Sequence, residues 1–194
     1  MQANIILASQ SKQRQAILKT LNLAFKVMPA EIDEQAIQAK NVSLRAKKIA
    51  RAKAEFVAQK HPQAIVMAAD TFCVFKDKIM EKPSDLDEAR EMLKALSGNQ
   101  LFTYTGFAYL DQKNKIDFAT TKKIKIKFRP LTEEEIETYV QNEPVLAWSA
   151  AFCPAYPAGA ALVASISGSF TAFTHGLPME EVTKFLRKSG VYEE

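Results

Sequence analysis

The sequence predicts a protein of the α/β or α+β class, and three observations carry that expectation. Strand-like and helix-like segments interleave along the whole chain, without repeats, low-complexity stretches or an obvious linker. The apolar run IVMAADTFCVF at 65–75 reads as a strand buried on both faces. Hydrophobic residues make up 47% and charged residues 25% of the chain, a globular balance; its 194 residues suffice for one large domain or two small lobes sharing a core.

The elements follow in order. NIILA (4–8) is a short buried strand. The next segment starts with the polar Ser9 and Ser11 and continues as a helix whose apolar face holds Ile17, Leu18 and Leu21. FKVMPAEIDE (25–34) is a second short strand running into an acidic loop. Ser43 is placed to cap a long helix ending near Lys60, before the 65–75 strand. KDK then makes a turn, and IMEKP ends at Pro83. In SDLDEAREMLKALSG, Ser84 with Asp87 forms a capping pair and Gly98 is the stop signal. LFTYTGFAYL and KIDFATTKKIKIKF flank the turn DQKN as an antiparallel pair. TEEEIETYVQN is a helix with Thr132 and Glu135 as its capping box. AALVASISGSF is a strand, and PMEEVTKFLRKSG a final helix with Pro178 in its first turn.

The charge balance limits the function classes. A net charge of +4 suits an anionic small substrate as readily as nucleic acid. Cys73 and Cys153 lie in apolar surroundings and form no CxxC pair, so reduced thiols are expected rather than a zinc site. MQANIILASQS lacks a basic region followed by a long apolar stretch, so no signal peptide is expected. No stretch approaches the roughly 18 apolar residues of a membrane span. The expectation is a soluble, cytoplasmic protein with no membrane partner and with a small anion expected ahead of nucleic acid.

Four features carry chemistry. LASQSKQR puts a strand end, two serines and a helix start together, with Arg14 one turn inside; backbone N–H groups at such a start bind anions, although an ordinary strand-to-helix turn looks the same. Lys53 shares a helix face with Ile49, Phe56 and Val57. Arg45 and Lys60 lie near that stripe at the helix ends and reach water, whereas Lys53 is mid-helix and either snorkels or points into a cleft. Asp70, followed by Thr71, interrupts the apolar run. An ionised carboxylate there costs several kcal/mol unless a partner meets it, so Asp70 either caps local backbone or marks a working site. EIDE (31–34) and EKP (81–83) put charges at strand ends, as surface loops also do. Together, Asp70 and Glu34 as carboxylates, Arg14, Lys53 and Lys82 as cations and the Ser9 turn describe a cleft equipped for metal-assisted attack on a polyphosphate.

The ordered set ILASQSKQR, EIDE, ARAKAE, AADT, EKPSDLDEAREMLKALSG, TYTGFAYL, KFRPLTEEEIETYV and GSFTAFTHGLP resembles the Maf family nearly end to end. The resemblance implies an α/β fold with an elongated mixed sheet, flanking helices and two lobes around a central cleft, similar to inosine triphosphate pyrophosphatases. It implies a single domain over 1–194 without a linker. It also implies a nucleoside triphosphate pyrophosphatase that uses Mg²⁺ or Mn²⁺, releases nucleoside monophosphate and pyrophosphate, and forms a homodimer.

Residue by residue, the resemblance makes Asp70 the proton acceptor and, with Glu34, a metal ligand. Glu34, Lys53 and Lys82 complete its catalytic set, and Ser9, Arg14, Gln13 and Thr71 bind substrate. Thr71 matches the branch that acts on dTTP and UTP, which favours a pyrimidine. Gln13 stands where the family has arginine or, in a branch acting on 7-methylguanosine triphosphate, tryptophan. The family segment K-A-G-A-Y-x-I-Q-G is rebuilt here as AWSAAFCPAYPAGAA (147–161), with Tyr156 and two prolines. The alternatives are therefore a modified-purine pyrophosphatase and a non-catalytic nucleotide- or RNA-binding regulator, Maf proteins being associated with arrest of septum formation.

The remaining features have simpler readings. In KKIKIKF (122–128), Lys123, Lys125 and Lys127 line the outer face of a half-buried strand, either guarding a sheet edge or forming an RNA-binding stripe. His61 ends a helix, His175 reads as a surface histidine, and TEEE is a favourable acidic first turn.

Overall fold

The computed structural model describes residues 3–192. In chain order its elements are β1 (Ile5–Leu7), α1 (Lys12–Lys19), β2 (Phe25–Val27), α2 (Val42–Lys60), β3 (Ile65–Phe75), β4 (Lys78–Met80) and α3 (Leu86–Leu96). Then follow β5 (Gln100–Asp111), β6 (Ile116–Phe128), α4 (Glu133–Asn142), two 3₁₀ turns (Val145–Ala147 and Ser149–Ala151), α5 (Pro157–Ala160), β7 (Val163–Ser167), α6 (Phe170–His175) and α7 (Met179–Lys188).

The strands form a mixed sheet in the order β2-β1-β3-β5-β6-β7, with β4 paired to β3. β1 runs parallel to β2 and β3, whereas β4 is antiparallel to β3 and β7 to β6. The short turn 112–115 joins β5 to β6, a connection that only antiparallel neighbours permit. A mixed α/β sheet with flanking helices is therefore the architecture. The chain divides into two compact units. The first takes the chain up to Thr71, Thr105–Lys122 and the chain from His175 on; the second takes Phe72–Tyr104 and Lys123–Thr174.

In the first unit the period-2 alternation of the strands sorts side chains onto two faces. Ile5 and Leu7, Ile65, Met67 and Ala69, and Phe107 and Tyr109 pack with Leu18 of α1 and with Val182, Phe185 and Leu186 of α7. Ile6 and Ala8, Val66 and Ala68, and Ala108 and Leu110 pack instead on Ala50, Ala54, Val57 and Ala58 of α2. The small residues of α2 let it lie close: a Cβ on Gly106 of β5 would come within 2.1 Å of the Ala46 carbonyl oxygen. A fully buried Leu18 or Leu186 contributes at most about 1.5–3 kcal/mol each. Continued past Ala69, the alternation turns Asp70 toward α2 and Thr71 toward α1.

In the second unit Leu93 and Leu96 of α3, Ile136 and Val140 of α4, and Ile124, Ile126 and Phe128 of β6 share one core. Arg90 bridges α3 to α4 through both oxygens of Glu137, at 2.6 and 2.9 Å. The segment 147–161 folds into turns and α5, with Trp148 stacked on Tyr156 at 5.4 Å between centroids. Both cysteines are buried and unbridged. Burial foremost, then Glu81 and Cys153, pushes the Cys73 thiol up to about 12.

Several sequence expectations are corrected. The cap of α2 is Asn41, whose Oδ1 accepts from the Leu44 N–H at 2.8 Å, and Ser43 is already inside the helix. The cap of α3 is Asp85, accepting from the Glu88 N–H at 2.8 Å, in place of the pair expected from Ser84 and Asp87; the Glu88 carboxylate accepts from the Ser84 N–H at 2.7 Å. The second strand ends at Val27 and the last strand is only Val163–Ser167, with α6 formed from residues read as strand and loop. β6 is no sheet edge, because β7 lies alongside it. Lys123 lies over the Phe102 ring at 4.5 Å, and Lys127 donates to the Gly98 carbonyl. The antiparallel β5–β6 pair and the Thr132–Glu135 capping box are as expected. His61 is the C-cap residue of α2.

Candidate active site

The first unit gathers a charged cluster beyond the carboxyl end of β1, where parallel strands leave room for a ligand. Asp70, on the α2 face of β3, meets Lys53: the ammonium lies 3.0 Å from Asp70 Oδ1 and 2.9 Å from Glu34 Oε1. The Lys53 and Asp70 side chains are only 12% and 13% exposed, so this is a largely desolvated pair, whereas Glu34 is 46% exposed. The Glu34 loop is shaped by Asp33, whose Oδ1 accepts from the Gln35 and Ala36 N–H groups. Arg45 and Lys48 of α2 hold that loop by donating to the carbonyls of Ile37 and Gln38. Lys53 thus points inward, and a carboxylate that looked isolated in an apolar strand has a cation.

On the α1 side, Arg14 is held by three groups. Its Nε donates to the Gly176 carbonyl at 3.0 Å, Nη1 to Ser9 Oγ at 2.9 Å and Nη2 to Thr71 Oγ1 at 3.3 Å. A guanidinium has five donors, so among the described residues one N–H on each terminal nitrogen stays available for an anion. Burial lowers the Arg14 pKa from its ordinary value, while Asp70 and Glu34 oppose that shift. Ser9 Oγ also accepts from the Ser11 N–H at 3.3 Å, which occupies both lone pairs and leaves its own proton to donate. Ser11 caps α1 through the Arg14 N–H at 3.4 Å. Thr71 lies 3.2 Å, oxygen to oxygen, from the fully buried Thr105 of β5.

Of the residues expected from sequence, Ser9, Arg14 and Thr71 form one cluster and Glu34, Lys53 and Asp70 another. Gln13 is half-buried, its Oε1 accepting from the Ser11 hydroxyl at 3.1 Å. Lys82 belongs to the second unit, exposed between β4 and α3. Sequence reasoning missed Gly176 and Thr105. The signal for Thr105 was a polar residue in a buried strand; Gly176 is 162 residues from the arginine it binds, so no local pattern reveals it. His175 is half-buried, and burial lowers its pKa, favouring the neutral imidazole.

The residues fit a hard divalent cation. Asp70 Oδ2 and Glu34 Oε2 carry no hydrogen bond among the described residues. Two carboxylate oxygens are the donor set of a Mg²⁺ site that fills its other positions with water and phosphate. Among the described residues no group of three or more His, Cys, Asp or Glu side chains forms an all-protein cage.

The family model described as Maf-like protein matches residues 4–189. The chain belongs to the Maf family. Among the relatives of this Maf chain, a protein of Clostridium botulinum strain Kyoto named dTTP/UTP pyrophosphatase is 38% identical over 195 residues, covering 97% of this chain and 98% of that protein. Proteins of the same name are 32% identical in Ruminiclostridium cellulolyticum, over 95% of each chain, and 34% identical in Carboxydothermus hydrogenoformans, over 96% of this Maf chain and 98% of that protein. Among solved structures, a HAM1 protein from Coxiella burnetii aligns at 17% identity with a TM-score of 0.41, covering 65% of this chain and 73% of that one.

Proposed function

We propose that this Maf protein hydrolyses a nucleoside triphosphate to the monophosphate and pyrophosphate, with dTTP and UTP as preferred substrates. The single observation that supports it most is the Glu34–Lys53–Asp70 cluster beside the half-satisfied guanidinium of Arg14. Such a set binds a polyphosphate and handles one proton. Arg14 and Ser9 donate to phosphate oxygens, neutralising charge that grows as the α–β anhydride breaks. Asp70 accepts the proton of the attacking water, whose oxygen bonds to phosphorus while the bridging oxygen leaves with the other product. Lys53 holds one oxygen of each carboxylate and leaves the other oxygen of each for a ligand. A Mg²⁺ or Mn²⁺ ion held by Asp70 and Glu34 would supply Lewis-acid polarisation of the phosphoryl group. The name dTTP/UTP pyrophosphatase borne by the relatives supports the pyrimidine preference, as does Thr71.

The test is pyrophosphate release from a panel of canonical and modified nucleoside triphosphates, with Mg²⁺ and with Mn²⁺. The proposal expects metal-dependent release, fastest with dTTP or UTP. Release from 7-methylguanosine triphosphate instead would move the assignment to the modified-purine branch. Binding across the panel without turnover would replace the enzyme by a nucleotide-binding regulator.

A further inference from the structure

We infer that Gly176 is a positioning residue for Arg14, and that Thr105 supports the same cradle through Thr71. The inference rests on the pyrophosphatase reading for its substrate, but the geometry stands alone. The Gly176 carbonyl takes the Nε–H of Arg14, the donor that sets the plane of the guanidinium. Gly176 has φ +64°, and a Cβ there would sit 3.1 Å from Thr71 Oγ1, 3.2 Å from Arg14 Nε and 3.3 Å from Arg14 Nη2. Any side chain at this position therefore crowds two members of the site and strains its own backbone. Thr105, fully buried, holds Thr71 Oγ1 at 3.2 Å, and Thr71 in turn accepts from Arg14 Nη2. With Ser9 on Nη1, the cradle occupies three donors and aims the remaining two. Neither Gly176 nor Thr105 needs to touch the substrate to do this. Misplacing a charged group by about 1 Å costs on the order of 100-fold in rate, so small displacements at Gly176 are visible in kinetics.

The experiment is a double-mutant cycle on the full chain: wild type, Gly176→Ala, Arg14→Ala and the double variant. Each is read by kcat and KM for dTTP and by calorimetric affinity for inorganic pyrophosphate. Gly176→Ala is expected to lose roughly tenfold in kcat/KM and to weaken pyrophosphate binding. In the Arg14→Ala background the same substitution should change either quantity by less than about twofold, because the group it positions is gone. Equal losses in both backgrounds would mean a general structural effect and overturn the inference, as would an unaffected single variant. Thr105→Val probes the cradle without touching the backbone and covers the case in which Gly176→Ala fails to fold; Thr105→Ser, which keeps the hydroxyl, should retain pyrophosphate binding and Thr105→Val should weaken it. If wild type turns over no nucleotide, the pyrophosphatase reading fails, and the pyrophosphate affinities still decide whether Gly176 acts through Arg14.

Discussion

The Lys53 ammonium lies 3.0 Å from Asp70 Oδ1, and both side chains are nearly nine-tenths buried. Removing the cation strands a carboxylate in a strand whose preceding residues, Val66 and Ala68, face the same apolar layer. Lys53→Met should therefore destabilise the fold by about 2–4 kcal/mol, toward the low end for breaking a buried pair because Glu34 is exposed. Adding Asp70→Asn should recover part of that loss. Urea midpoints of the two single variants and the double variant measure it; additive losses would show that the two groups are not coupled.

The second unit carries a pH-sensitive pair. Hydrogen bonds from Arg90 first, then Gln141, hold the Glu137 carboxyl down at about 2, against an ordinary 4.5. A carboxyl depressed in the folded state gives stability that is present above 4.5 and lost as pH falls toward 2. Arg90→Gln should therefore lower the melting temperature at pH 7 and have progressively less effect below pH 4.5. Thermal melts at pH 7, 4 and 2.5 follow this; an effect that grows on acidification would contradict it. Because Glu137 lies on the surface, the effect at pH 7 is small.

The two candidate caps of α2 give a direct comparison. Asn41→Ala removes the Oδ1 that accepts the Leu44 N–H and should cost about 1 kcal/mol. Ser43→Ala should be nearly neutral, since Ser43 engages Thr121 through its backbone carbonyl. Chemical denaturation of both variants tests the order, and the reverse order would return the cap to Ser43.

Which parts were legible follows from range. The Thr132–Glu135 box and the β5–β6 pair rest on contacts a few residues apart or on one short turn, and both appear as expected. Asp70 and Lys53 were legible as anomalies, a carboxylate in an apolar run and a lysine on an apolar helix face, although their meeting is tertiary. The caps moved by one or two residues because Asn41 and Ser43, or Ser84 and Asp85, are all competent caps, and helix docking chooses among them. The lysines of β6 were misread as edge guards because β7 arrives from far along the chain to cover that strand. Gly176 was invisible for the same reason, its partner lying 162 residues away, whereas Thr105 showed as a polar residue in a buried strand but its partner, 34 residues away, did not show.

The most direct test compares wild type with Asp70→Asn, using dTTP and Mg²⁺ and reading thymidine monophosphate and pyrophosphate together. The account predicts equimolar products from wild type and a loss of roughly 100- to 10,000-fold in the variant, with nucleotide binding retained. Full activity in Asp70→Asn, or release of single phosphates instead of pyrophosphate, would contradict the assignment of Asp70 as the group that takes the proton of the attacking water.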